Sequence, residues 1–168
     1  NYSNHPEMSA EKLTEILVEK ITKTEMNFFV ANYANPDMVG HTGNLAAAIE
    51  SVEYVDTCIK KVLDACLQAD AVLIVTADHG NAEQMINTRT GDIDKDHTTN
   101  PVPLLLAGNA FKFNKPLEIK FASLSARVPA GAISDVAPTI LELLGLPKPP
   151  EMTGVNLLEY IDEVPRKI

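Results

Sequence analysis

The sequence holds no uninterrupted apolar stretch longer than a few residues, far short of the roughly 20 that a bilayer-spanning helix requires. Its first residues, NYSNHPEMSAEK, are polar and lack the apolar centre of a secretory signal. The expected compartment is therefore the cytoplasm, with no membrane partner. Positive charge is scarce: 14 Lys and Arg stand against 23 Asp and Glu, for a net charge of −9. With no basic cluster, nucleic acid and anionic surfaces are disfavoured partners, and cations are favoured ones. The two cysteines, Cys58 and Cys66, lie eight apart inside a helical pattern. They make no disulfide framework and are expected as reduced core residues. Also missing are a Gly-rich phosphate loop ending in Lys-Ser or Lys-Thr, a Gly-x-Ser-x-Gly elbow and a dinucleotide fingerprint. Asp92, Asp94 and Asp96 mimic the alternating acids of a calcium loop, but His97 stands where that loop needs Gly and Pro103 where it needs Glu.

What is present suits a folded unit. The chain has 168 residues, 45% apolar and 22% charged, enough to bury a core. Ser9 followed by Leu13, Ile16, Leu17 and Ile21 predicts an amphipathic helix over 10–22, with Met8 and Leu13 placed as a hydrophobic staple. The apolar run over 27–33 predicts a buried strand. A loop with Asn, Pro and two Gly leads to the clearest helix, 45–68, whose expected apolar face is Leu45, Ala48, Ile49, Val52, Val55, Ile59, Val62, Leu63 and Cys66. Strands are expected over 71–77 and 102–107. Alternation at Leu117, Ile119 and Phe121 suits a half-exposed strand or hairpin arm. A last helix runs from Ser134 or Asp135 through Leu144 to Gly145, ahead of Pro147, Pro149 and Pro150. This order is the grammar of an α/β domain, a mainly parallel sheet flanked by helices.

Of only four histidines, three stand beside acids near the ends of expected strands. Asp37 and His41 follow the first strand in NPDMVGHTG, Asp78 and His79 follow the second in TADHGN, and His97 precedes the third in DHTTNPVP. Ligands of open α/β sheets gather outside the carboxyl ends of the strands, and mixed carboxylate and imidazole donors suit Mn²⁺, Zn²⁺ or Fe²⁺. Singly, each motif has a plain structural reading: a helix start or hydrogen-bonded loop for Asp37 and His41, a β-turn for Asp78-His79-Gly80, and a surface loop for His97. Together they point to a dinuclear metal centre. His5 has no acidic pattern around it and is read as structural.

The strings NYANPDMVGHTG, VTADHGNAE, HTTNPVP and DVAPTILELLGLPKPPEMTG closely resemble the C-terminal part of the cofactor-independent phosphoglycerate mutases of the alkaline phosphatase superfamily. The resemblance runs from about Pro6 to Leu157 and matches least over Phe111 to Val128, a segment left without a role. It implies an alkaline phosphatase-like α/β domain, incomplete at its N-terminal side. It implies two divalent ions, Mn²⁺ foremost with Zn, Co, Fe or Mg as alternatives. Asp37, His41 and His97 would hold one, and Asp78 and His79 would contribute to the other. It implies the interconversion of 3-phosphoglycerate and 2-phosphoglycerate through a phosphoserine, by an enzyme that is commonly monomeric. The serine nucleophile and a further aspartate belong to an N-terminal segment, and the arginine-rich substrate grip to an inserted transferase domain. Neither has a counterpart here: Ser3, Ser51 and Ser125 lack the nucleophile's context, and Arg89, Arg127 and Arg166 form no clamp. The whole of 1–168 is thus expected to be part of a phosphatase domain whose partner is the remainder of its own polypeptide, inactive alone. A phosphomonoesterase or phosphopentomutase of the same superfamily, or a non-catalytic metal-binding module, are the competing readings.

Overall fold

The computed structural model describes residues 2–23, 26–111 and 128–160. The chain divides into two compact units, 1–109 and 110–168.

The first unit is built on α1 (Ala10–Lys23) packed against α3 (Leu45–Gln68), with the short α2 (Asn35–Gly40) between them in sequence. Asn44 caps α3 by accepting from the Ala47 N–H at 3.2 Å, the usual role of Asn at that position. One apolar cluster joins Ile21 of α1 to Val62, Ala65 and Cys66 of α3, with Leu17, Val18, Phe29 and Leu73 against it. A second joins Val39 of α2, Ala47, Ala48 and Met85, and Met8 packs on this one. Cys58 and Cys66 are buried free thiols, as expected. The buried stripe of α3 is Ala47, Ala48, Ser51, Val55, Cys58, Val62, Ala65 and Cys66. It is rotated from the expected face, so that Leu45, Ile49 and Val52 are exposed. Six of the eight buried positions are Ala, Ser or Cys, so the stripe that packs is one of small side chains rather than of the bulkiest apolar ones.

The sheet departs further from expectation. Among the described residues it has two strands, β1 (Leu73–Thr76) and β2 (Leu104–Ala107), paired antiparallel with Leu73 opposite Ala107 and Thr76 opposite Leu104. A parallel pair needs a long crossover, usually a helix, and residues 77–103 contain none. The expected strand over 27–33 joins no ladder: Phe29 packs inward, whereas Phe28 and Val30 stand 49% and 81% exposed. Among the described residues no strand is hydrogen-bonded to it. No helix among the described residues is long and apolar enough to cross a membrane.

The second unit centres on α4 (Val136–Leu143), entered through a 3-10 turn over Ile133–Asp135 and followed by another over Leu157–Tyr160. Asp135 accepts from the Ala132 N–H at 2.7 Å and the Val155 N–H at 2.9 Å. Thr139 Oγ1 donates to the Asp135 carbonyl at 2.7 Å and accepts from the Leu157 N–H at 2.9 Å. The expected strand at Leu117, Ile119 and Phe121 lies outside the described residues, as do Ser125, Arg127 and Arg166.

Candidate metal centre

All five candidate ligands belong to the first unit. Asp37 and His41 sit on α2 and at its C-terminal cap rather than in the expected loop. Pro36 suits the first helical turn, where its missing N–H costs nothing. The i, i+4 spacing then turns both side chains to one side, with His41 Nε2 at 3.3 Å from Asp37 Oδ1. The connection between β1 and β2 brings in the others. His97 Nε2 lies 3.1 Å from His41 Nε2 and 3.2 Å from Asp37 Oδ1. His79 stacks on His97 with ring centroids 3.7 Å apart and planes at 19°. Asp37, His79 and His97 each offer a donor atom within 4.8 Å of the others'.

Three donor atoms thus form a nearly equilateral triangle with edges of 3.1 to 3.3 Å. Donors bound at about 2.1 Å are about 3.4 Å apart around a tetrahedral ion and about 3 Å apart at adjacent corners of an octahedral one. The triangle fits either. Proton placement supports the fit. His41 Nδ1 lies 2.5 Å from the Lys95 carbonyl oxygen, and a carbonyl can only accept, so Nδ1 carries the proton. In the neutral ring Nε2 is then a free lone pair aimed at the triangle, the usual state of a metal-ligating imidazole held by a backbone carbonyl. The donor set therefore suits a divalent cation.

Asp78 stands apart. Its carboxylate is 83% exposed and 3.7 Å from His79 Nε2, and it takes no place in the triangle. His79 Nδ1 is buried and has no hydrogen-bond partner among the described residues. His5, read as having no acidic pattern around it, lies 3.2 Å from Glu7 Oε1 at the surface.

The chain also gathers residues around the donors that the pattern of acids and histidines did not single out. Asn81, buried, donates through Nδ2 to Asp37 Oδ1 at 2.8 Å and lies 3.4 Å from His41 Nε2. Glu83 accepts from the Asn81 N–H at 2.6 Å, from Asn100 Nδ2 at 2.9 Å and from the Thr98 hydroxyl. Burial pushes the Glu83 carboxyl up, but the bonds from Thr98, Asn100 and the backbone outweigh it and hold the group below the usual carboxylate range. Their traces in the sequence are position, with Asn81 and Glu83 two and four residues after His79 and Thr98 directly after His97, and a place inside the strings VTADHGNAE and HTTNPVP.

The family model described as the Metalloenzyme superfamily matches residues 1–148, and the chain belongs to that superfamily. Within it, the chain is 46% identical over 159 residues to a 2,3-bisphosphoglycerate-independent phosphoglycerate mutase of Thiobacillus denitrificans, covering 95% of this chain and 28% of the relative. It is 48% identical over 158 residues to the protein of the same name in Rhodopirellula baltica, covering 94% of this chain and 27% of the relative. Among solved structures it resembles Leishmania mexicana phosphoglycerate mutase at low cobalt concentration, with a TM-score of 0.73 and 30% identity over 92% of this chain and 29% of that one. The chain therefore spans less than a third of the length of these relatives.

Proposed function

We propose that this chain supplies metal ligands to a cofactor-independent phosphoglycerate mutase, an isomerase that interconverts 3-phosphoglycerate and 2-phosphoglycerate in glycolysis and gluconeogenesis. The observation that carries this reading is the convergence of Asp37, His41 and His97 into a triangle of ion-coordinating size, in a chain whose relatives bear that name. Asp37, His41 and His97 would hold one divalent ion. Asp78 and His79 would contribute to a second, completed by residues outside these 168. Mn²⁺ is the proposed ion, and the cobalt that accompanies the Leishmania mexicana mutase structure suits the same donor chemistry. When bound, such ions neutralise phosphoryl oxygens and lower the pKa of a coordinated hydroxyl.

The residues of this chain have defined tasks in that scheme. Asp37 brings negative charge to the donor triangle, and His41, its Nδ1–H held by the Lys95 carbonyl, turns Nε2 toward it. The Asn81 amide fixes the Asp37 carboxylate. The phosphoryl group would pass to a serine and return to the other hydroxyl of the same glycerate. That serine and the arginines that grip the substrate are assigned to the rest of a longer polypeptide. The same extension would complete a mainly parallel, alkaline phosphatase-like sheet, next to the run over 27–33. The full enzyme would work as a cytoplasmic monomer.

A chimera tests the reading. Residues 6–157 would replace the matching segment of the Thiobacillus denitrificans mutase. With Mn²⁺ the chimera is expected to convert 3-phosphoglycerate, the chimera carrying Asp37→Ala to lose that activity, and the isolated chain to show none. A folded chimera that binds Mn²⁺ yet leaves 3-phosphoglycerate unchanged would overturn the assignment, as would normal turnover by the isolated chain.

A further inference from the structure

Asp37 and His41 stand on α2 and its cap, and the other candidates come from two loops on either side of a long connection: residues 77–83 carry Asp78 and His79, and residues 95–100 carry His97 and the carbonyl that holds His41. Backbone pairing between these loops is slight. It consists of one isolated bridge, with Thr98 N–H donating to the Gly80 carbonyl at 2.8 Å and Gly80 N–H to the Thr98 carbonyl at 3.4 Å. These two hydrogen bonds, one of them long, are the backbone bonds that join the two loops directly.

Glu83 adds side-chain bonds across the two loops. Its Oε2 accepts from the Asn81 N–H at 2.6 Å on the first loop, and its Oε1 accepts from Asn100 Nδ2 at 2.9 Å and from the Thr98 hydroxyl on the second. One carboxylate thus takes three donors from both loops. The loops meet so closely that a Cβ on Gly80 would fall on Thr98 Oγ1 and Glu83 Oε1, which leaves room there only for glycine. Glu83 touches no candidate ligand, yet its partners are next to them. Asn81, two residues after His79, donates to Asp37, and Thr98 directly follows His97.

We propose that Glu83 is the positioning residue of the metal centre, a latch that fixes His79 against His97 and Asn81 against Asp37 before a cation arrives. A carboxylate suits the task because the Asn81 N–H can only donate and Asn100 presents its amide nitrogen. Glutamine would keep the acceptor for the Asn81 N–H and turn a donor toward Thr98, whose hydroxyl can reverse, and toward Asn100 Nδ2, whose bond to the same oxygen is lost. The inference rests on the metal-centre reading above. Groups that orient ligands from one shell out change metal affinity by about 10- to 100-fold when removed.

The test is Mn²⁺ titration of the 168-residue chain, followed by electron paramagnetic resonance, with the visible absorption of bound Co²⁺ as a report on ligand geometry. Glu83→Ala is expected to weaken Mn²⁺ binding about 10- to 100-fold and to alter the Co²⁺ bands, with the far-ultraviolet circular dichroism of α1 and α3 unchanged. Glu83→Gln is expected to recover part of both. If Glu83→Ala does not fold, Thr98→Val removes one donor from the far loop, and its Mn²⁺ affinity should fall several-fold. The inference is overturned if Glu83→Ala, or Thr98→Val in its place, binds Mn²⁺ like the unsubstituted chain with the same Co²⁺ spectrum. It is also overturned if Glu83→Gln recovers nothing and helical dichroism is lost in step with affinity. An unsubstituted chain that binds no Mn²⁺ would bring down the metal-centre reading itself and the latch with it.

Discussion

His41 and His97, 56 residues apart in the chain, face each other through their Nε2 atoms at 3.1 Å, with Asp37 Oδ1 completing the triangle. Two ring nitrogens this close share one proton or one cation between them. Because Lys95 already holds the proton of His41 on Nδ1, a cation binding here displaces little structure. Calorimetry of the chain with Mn²⁺ or Zn²⁺ should show weak binding. Asp37→Ala and His97→Ala should each lose more than the roughly 100-fold that bounds outer-shell effects. Asp78→Ala should change the affinity little, since its carboxylate lies outside the triangle.

Asn81 is expected to matter to both stability and affinity. Its buried amide donates to a carboxylate, and such charge-assisted bonds contribute about 1.5 to 3 kcal/mol. Asn81→Ala should therefore lower the urea midpoint and weaken Mn²⁺ binding, while Asn81→Asp should lower the midpoint further by setting two carboxylates face to face. An unchanged midpoint in both variants would show that the contact contributes nothing.

Ser51 gives the opposite expectation. Its hydroxyl is fully buried in α3 without a hydrogen-bond partner among the described residues, a state that costs about 1 to 3 kcal/mol. Ser51→Ala should leave stability unchanged or raise it by about 1 kcal/mol, read from denaturant unfolding.

Gly145 ends α4 in a Schellman motif, with Leu146 N–H donating to the Leu141 carbonyl at 2.9 Å and Gly145 N–H to that of Glu142 at 3.0 Å. Its φ of +64° is left-handed, which costs an L-residue about 1 to 2 kcal/mol. No heavy atom lies within 4 Å of where its Cβ would go, so Gly145→Ala isolates that backbone cost. Amide exchange over 140–146 should speed up accordingly.

Asp135 sets an acid limit on the second unit. The Ala132 and Val155 N–H groups, in that order, hold its carboxyl below the usual value against a smaller opposing effect of burial. A carboxyl whose pKa is lower folded than unfolded contributes stability above its unfolded pKa, about 3.9, and loses it as pH falls through the folded value. Protection factors at the Val155 and Ala132 amides, corrected for the intrinsic pH dependence of exchange, should therefore fall only below about pH 4. In Asp135→Asn that step should vanish, and exchange should be faster at neutral pH.

Local pattern by itself determined a good part of this protein. The 3.6-residue period located α1 and α3, with α3 starting and ending where expected, because helix bonds are local and cap residues such as Asn44 act within a turn. Gly145 stopped α4 for the same reason. The histidines and acids named the candidate centre, since few other residue types bind divalent ions. Tertiary structure alone decided the rest. Whether β1 and β2 run parallel or antiparallel depends on what connects them, and whether 27–33 becomes a strand depends on a neighbour to bond with. The buried face of α3 runs through the small Ser51 and Cys58, which hydropathy did not pick out. Asn81 gained its place only when residues 77–83 met α2, and Glu83 when they met residues 95–100, because a hydrogen bond between segments distant in sequence leaves no period in it.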